Sequence, residues 1–76
     1  MFFQLTNIQS SSVEELSVNP NTNQVVVKYC GNEQPYLYSN VQFPALCDLL
    51  MTNVKSIGKW VNTNLKQDSA VTCYAV

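Results

Sequence analysis

The chain contains no arginine and no histidine. The first absence removes the side chain that reads guanine or phosphate in a bidentate fork. The second removes the usual general base near neutral pH. Charge of either sign is scarce, at 12% of residues against about 25% in an ordinary globular domain. A small surface this sparsely charged tends to associate, so a homodimer or a standing protein partner is the expectation. No apolar run approaches the ~20 residues of a membrane span. Met1-Phe2-Phe3 lacks the basic n-region and long apolar core of a signal peptide, which points to a cytoplasmic chain with reduced thiols.

Cysteine is present three times, as Cys30, Cys47 and Cys73, with no C-x-x-C spacing. Three scattered thiols without histidine do not complete a zinc site, so no metal and no cofactor is expected. The expected role of the thiols is as inert buried groups, Cys47 above all, since it lies in an apolar helical run. Catalysis has little to work with. No G-x-S-x-G motif occurs, Glu14 and Glu15 are strand neighbours expected to face opposite ways, and Gly58-Lys59 lacks the earlier glycine of a phosphate loop. The chain reads as a non-enzyme.

With 76 residues and 46% hydrophobic content, the chain has material for one small core and is not of the disordered class. The whole of 1–76 reads as one domain. The few charges are unevenly placed: Glu14, Glu15, Glu33 and Asp48 face Lys28 alone before residue 51, whereas Lys55, Lys59 and Lys66 face Asp68 alone after it. Nucleic-acid affinity resting on so few lysines would be weak and salt-sensitive.

Periodicity organises the chain. Phe2–Ile8 offers a weak first strand through Phe3 and Leu5, and Val13–Val18 a second, running into the turn Asn19-Pro20-Asn21-Thr22-Asn23. Gln24–Cys30 alternates strictly, with Val25, Val27 and Tyr29 on one face and Val26 and Lys28 on the other. Gly31-Asn32-Glu33 makes a turn, and Tyr36-Leu37-Tyr38 another strand with both tyrosines on one face. Short turns between successive strands imply an antiparallel meander. The period then becomes helical. One helix begins at Phe43-Pro44 with Phe43, Leu46, Cys47 and Leu50 along one face, and is expected to break at Thr52-Asn53. A second runs from an N-cap at Ser56 to Lys66, burying Ile57, Val61 and Leu65 with Trp60 beside them. Gly58 in its first turn sacrifices about 1 kcal/mol of helix propensity, which implies close packing against a neighbouring backbone. Ala70–Val76 alternates again, as an edge strand or an arm that pairs with another chain. The fold class is α+β: an antiparallel meander of three to four strands, two helices on one face, and a C-terminal edge strand over 70–76.

Four segments carry a family resemblance. They are Ser11-Ser12-Val13 through Asn19-Pro20; Gln24–Cys30; Tyr36-Leu37-Tyr38; and Ser56-x-Gly58-Lys59-Trp60-Val61-Asn62-x-Asn64-Leu65-Lys66, the most specific of them. Together they resemble the KTSC family, small domains found alone in bacteria and phages and at the C-terminus of some lysyl-tRNA synthetases. The match covers about residues 11–66. Ser17 and Val18 stand where relatives tend to have glycine and tyrosine, and the usual arginine near the end of the final helix is absent. The resemblance implies a phage or bacterial source, which nine asparagines also suit, and a capacity to bind RNA or DNA.

The candidate binding residues are therefore Tyr36, Tyr38, Lys55, Lys59, Trp60, Asn62, Asn64 and Lys66. For each the bland reading carries more weight. The tyrosines could be a base-stacking platform or core rings with hydroxyls bonded at the rim. The lysines could form a basic stripe or a solvated helix face. Asn62 and Asn64 point apart on a helix, so one is expected to bond backbone while the other meets solvent. Trp60 is expected in the core rather than as a partner hot spot. Three functions remain: a small protein–protein interaction module that modulates a partner, a weak nucleic-acid-binding domain, and a structural scaffold within a larger assembly.

Overall fold

A computed structural model of the chain describes residues 1–5, 8–51 and 54–76. Five strands, β1 (Phe3–Gln4), β2 (Val13–Asn19), β3 (Gln24–Tyr29), β4 (Tyr36–Ser39) and β5 (Thr72–Ala75), form one sheet in that spatial order, each pair antiparallel. Helix α1 (Phe43–Leu50) and helix α2 (Ile57–Val61) lie between β4 and β5 in sequence, and α2 continues as a π-helical turn over Asn62–Lys66. The α+β meander with a C-terminal edge strand is thus the observed architecture. The expected helix break at Thr52-Asn53 lies outside the described residues, as does part of the expected strand Phe2–Ile8.

Short polar turns set the meander. Asn19 Oδ1 accepts the Asn21 N–H at 3.1 Å, an Asx turn that starts the β2–β3 reversal. Asn23 closes it with φ of 55°, a left-handed value that asparagine adopts more readily than most side chains. Strand alternation then sorts residues between two faces. On one, Leu16, Val18, Val25, Val27 and Tyr38 are buried, and Leu46, Leu49, Trp60, Val61 and Leu65 from the helices complete a single hydrophobic cluster. Among the described residues, none of the helix core lies on the other face. That face presents Glu15, Ser17, Val26, Lys28, Leu37 and Tyr74, by the same alternation.

Three local expectations need correction. First, α1 buries Ala45, Leu46 and Leu49, while Phe43 and Leu50 are exposed. The small side chain of Ala45 lets Trp60 come against α1, where the indole N–H donates to the Ala45 carbonyl at 3.2 Å; the buried stripe is turned toward that contact. Second, Glu14 and Glu15 do not simply alternate. The β2–β3 register shifts between Val13 and Glu15, so Glu14 is the extra residue of a bulge and its carboxylate reaches Lys28 Nζ at 3.1 Å. That hydrogen bond, more than any other cause, raises the Lys28 pKa. Third, Cys30 and Cys73 are exposed free thiols and Cys47 is half-buried, because the first follows β3 into a turn and the second sits on an edge strand.

Gly58 is closely packed, but against side chains rather than backbone. A Cβ there would lie 2.9 Å from Ser12 Oγ and 3.7 Å from Ser10 Oγ. Ser10 Oγ in turn accepts the N–H groups of Ser12 and Val13, both at 3.2 Å, which holds the serine loop against the start of α2. Ser56 caps α2 by accepting the Lys59 N–H at 3.3 Å.

Candidate partner-binding surfaces

The candidate residues fall in two places. The first is the helix-side face of β3 and β4. Tyr38 is 6% exposed, and its hydroxyl lies 2.6 Å from that of Tyr29. The Tyr36 ring leans on Tyr29, with centroids 6.1 Å apart and planes 55° apart. Lys66 places its ammonium 4.7 Å from the centroid of the Tyr29 ring. Burial pushes the pKa of both Tyr29 and Tyr38 upward, since a buried phenolate loses its hydration. Tyr38 is therefore a core ring with its hydroxyl bonded at the rim, and the half-buried Tyr36 and Tyr29 close the cluster. Tyr29 joins this group although sequence reasoning did not single it out. Its place on the Val25–Val27–Tyr29 face was the signal.

The second place is the outer side of the last helix. Val54, Lys55, Ser56, Lys59, Trp60, Thr63 and Asn64 line an open groove of about 280 Å³. Lys55 and Lys59 are brought together there, whereas Lys66 is drawn onto the tyrosine cluster. Trp60 is 6% exposed, so the groove meets only a fringe of a core indole. Asn64 Nδ2 donates to the Trp60 carbonyl at 3.1 Å. The side-chain amide thus reaches back one turn to a carbonyl just ahead of the π turn. Gln67 N–H bonds to the Asn62 carbonyl at 3.0 Å, the five-residue step of the π turn. Asn62 itself is exposed.

A third surface went unnoticed in the sequence and emerges from register. Gln4, Ser17, Val26, Leu37 and Tyr74 stand opposite one another across all five strands. Val26, Leu37 and Tyr74 thus form an apolar row on the helix-free face, ending at β5, where Tyr74 is 56% exposed. Every residue of β5 is exposed. Its ladder has a defined polarity. The Val76 N–H donates to the Pro35 carbonyl at 3.1 Å, so Val76 directs its groups inward. Pro35 has no N–H to return, and the Gln34 side chain donates to the Val76 carbonyl at 2.6 Å instead. Bonded and non-bonded pairs alternate along an antiparallel ladder. Tyr74 and Thr72 therefore also point inward, and the N–H and C=O groups of Cys73 and Ala75 point out from the sheet. At the other edge, the Leu5 N–H bonds to the Leu16 carbonyl at 2.9 Å, so two-residue β1 turns only Gln4 outward.

Among the described residues, no three metal-ligating side chains come together and no helix is long and apolar enough to cross a membrane. Comparisons with protein-family models, with curated proteins and with solved structures found no match.

Proposed function

We propose that the chain is a small, non-catalytic, KTSC-like interaction module of phage or bacterial origin that acts in the cytoplasm, where it binds a protein partner through β5 and modulates it. The observation that carries this reading is the open β5 edge: two residues with outward backbone groups, alternating with exposed Tyr74 and Val76, in a segment (70–76) without charged side chains or proline. Natural edge strands are commonly blunted by lysine, proline, bulges or brevity. β5 has none of the first three, whereas β1 is protected by brevity. An extended partner segment would add a sixth strand here, gaining affinity from main-chain bonds and selectivity from the Tyr74 row. Such an interface withstands salt, because it contains no ion pair.

The test is partner capture in high salt, comparing the parent with Tyr74→Glu, which puts a charge on the open face at the edge. A protein retained by the parent and lost by the variant supports the reading; equal retention refutes it. The nucleic-acid reading is favoured by one observation, the pairing of Lys55 and Lys59 along one groove. It requires that the chain bind a mixed single-stranded RNA with affinity falling steeply between low and physiological salt, and that Lys59→Glu abolish the binding. That result, without salt-resistant protein capture, would replace the first reading with the second.

A further inference from the structure

The arrangement of free backbone groups on β5 specifies an occupant. Outward N–H and C=O pairs sit at Cys73 and Ala75, symmetric about Tyr74. The pattern ends on the N-terminal side at Val71, whose N–H bonds to the Asp68 carbonyl at 3.2 Å. The turn holding it is itself fixed, since Asp68 Oδ1 accepts the Ala70 N–H at 3.0 Å and Asn40 Nδ2 donates to the Ala70 carbonyl at 3.0 Å.

We infer that the free edge pairs with β5 of a second copy of this chain, antiparallel, about a two-fold axis through Tyr74. In that register Cys73 faces Ala75 of the other copy and Ala75 faces its Cys73, as two hydrogen-bonded pairs that use every outward group. A register centred on Cys73 would instead set Ala75 against Val71, whose N–H is already engaged. Side chains agree with the backbone. Tyr74 meets Tyr74 as a non-bonded pair, the closer kind, so the Val26–Leu37–Tyr74 row of one copy runs on into that of the other. On the opposite face Cys73 and Ala75 are small enough to meet. Self-pairing brings no like-charged side chains together, because 70–76 carries no charged side chain and Lys28, Glu14 and Glu15 lie on β3 and β2, two and three strands away. The result is a ten-stranded sheet with β1 at both ends. An interface of two four-residue strands is small beside the ~800 Å² per partner of a standard complex, so the expected dimer is a weak one. Such a dimer gives way readily to a better-fitting strand, so self-association competes with partner capture at the same edge.

This inference rests on β5 being the docking strand. The purified chain is followed by sedimentation velocity over a concentration series, alongside Ala75→Pro. That substitution removes an outward N–H and leaves the inward bonds of Thr72, Tyr74 and Val76 untouched. The expected result is a monomer–dimer equilibrium that Ala75→Pro weakens about tenfold or more with its circular dichroism unchanged. Tyr74→Lys, an edge gatekeeper on the solvent side, gives the same loss and serves if the proline variant is poorly folded. Register is read by oxidising Tyr74→Cys in a chain with Cys30, Cys47 and Cys73 replaced by serine; the axis at residue 74 predicts a disulfide dimer. A parent that stays monomeric up to about 1 mM, a dimer indifferent to both edge variants, or a dimer that does not cross-link at residue 74 overturns the inference. Its failure is separable from failure of the proposed function: a monomer that still captures another protein through β5 loses only the self-pairing, and a dimer that captures nothing loses only the heterologous partner.

Discussion

Replacing Trp60 with phenylalanine should cost the fold about 2 kcal/mol, and the structure says where each part comes from. The indole is 6% exposed and packs between the last helix and α1, with its N–H donating to the Ala45 carbonyl at 3.2 Å in a buried setting. Phenylalanine keeps one ring and loses the donor. The lost hydrogen bond is worth about 1 kcal/mol, moderated because the Ala45 carbonyl keeps its place in the α1 ladder. The smaller ring leaves roughly 30–40 Å³ unfilled, which adds about 1 kcal/mol at ~24 cal/mol per Å³. A domain of 76 residues has about 4–11 kcal/mol in all, so the variant folds. Its midpoint should drop by about 8–16 °C, at about 4–8 °C per kcal/mol for a domain of this size. Thermal unfolding followed by far-UV circular dichroism measures this directly. A midpoint within about 2 °C of the parent would refute the assignment of Trp60 as the clamp between helices.

Two further outcomes follow from local contacts. Tyr29 and Tyr38 have pKa values raised by burial, so the folded state favours their neutral phenols; the stability this contributes is complete below the unfolded value of about 10 and is lost as pH rises above it. Tyrosinate absorbance should therefore show Tyr29 and Tyr38 staying protonated above about pH 10 until the chain unfolds, and their ionisation near pH 10 in a still-folded chain would contradict the buried pair. At Gly58, alanine should bring no gain in the parent, because its Cβ meets Ser12 Oγ at 2.9 Å, yet stabilise the Ser12→Ala background by up to about 1 kcal/mol through helix propensity. Denaturant unfolding of the four chains gives the coupling, and strict additivity would remove the serine loop as the reason for the glycine.

What was legible in the sequence was the part that periodicity encodes. Val25, Val27 and Tyr29 alternate against Val26 and Lys28 so strictly that β3 and its buried face could be read directly, and the asparagine- and glycine-containing turns made a meander the natural joining of its strands. Ser56 as a cap, and a backbone bond from one of Asn62 and Asn64, were also readable, because small polar groups at helix ends and within helices have few other uses; which asparagine makes the bond was not readable. The rest depends on distance between segments. The α1 stripe was assigned to Phe43 and Leu50 because spacing alone cannot show that Trp60 arrives beside Ala45. The bulge at Glu14 and the widening at Asn62–Lys66 each shift a register that simple periods assume constant, which is why Lys66 parts from Lys55 and Lys59. The Val26–Leu37–Tyr74 row is a property of pairing between strands, and no window along one strand contains it.

Partner binding and self-pairing both depend on the polarity of β5, which amide hydrogen exchange resolved by residue tests most directly. In dilute solution the N–H groups of Thr72, Tyr74 and Val76, which bond to β4 or its approach, should be protected while those of Cys73 and Ala75 exchange freely. Raising the protein concentration should then slow exchange at Cys73 and Ala75 selectively. If Cys73 and Ala75 are already protected in dilute solution, or stay unprotected at every concentration and with every partner, the open edge is not the interaction surface.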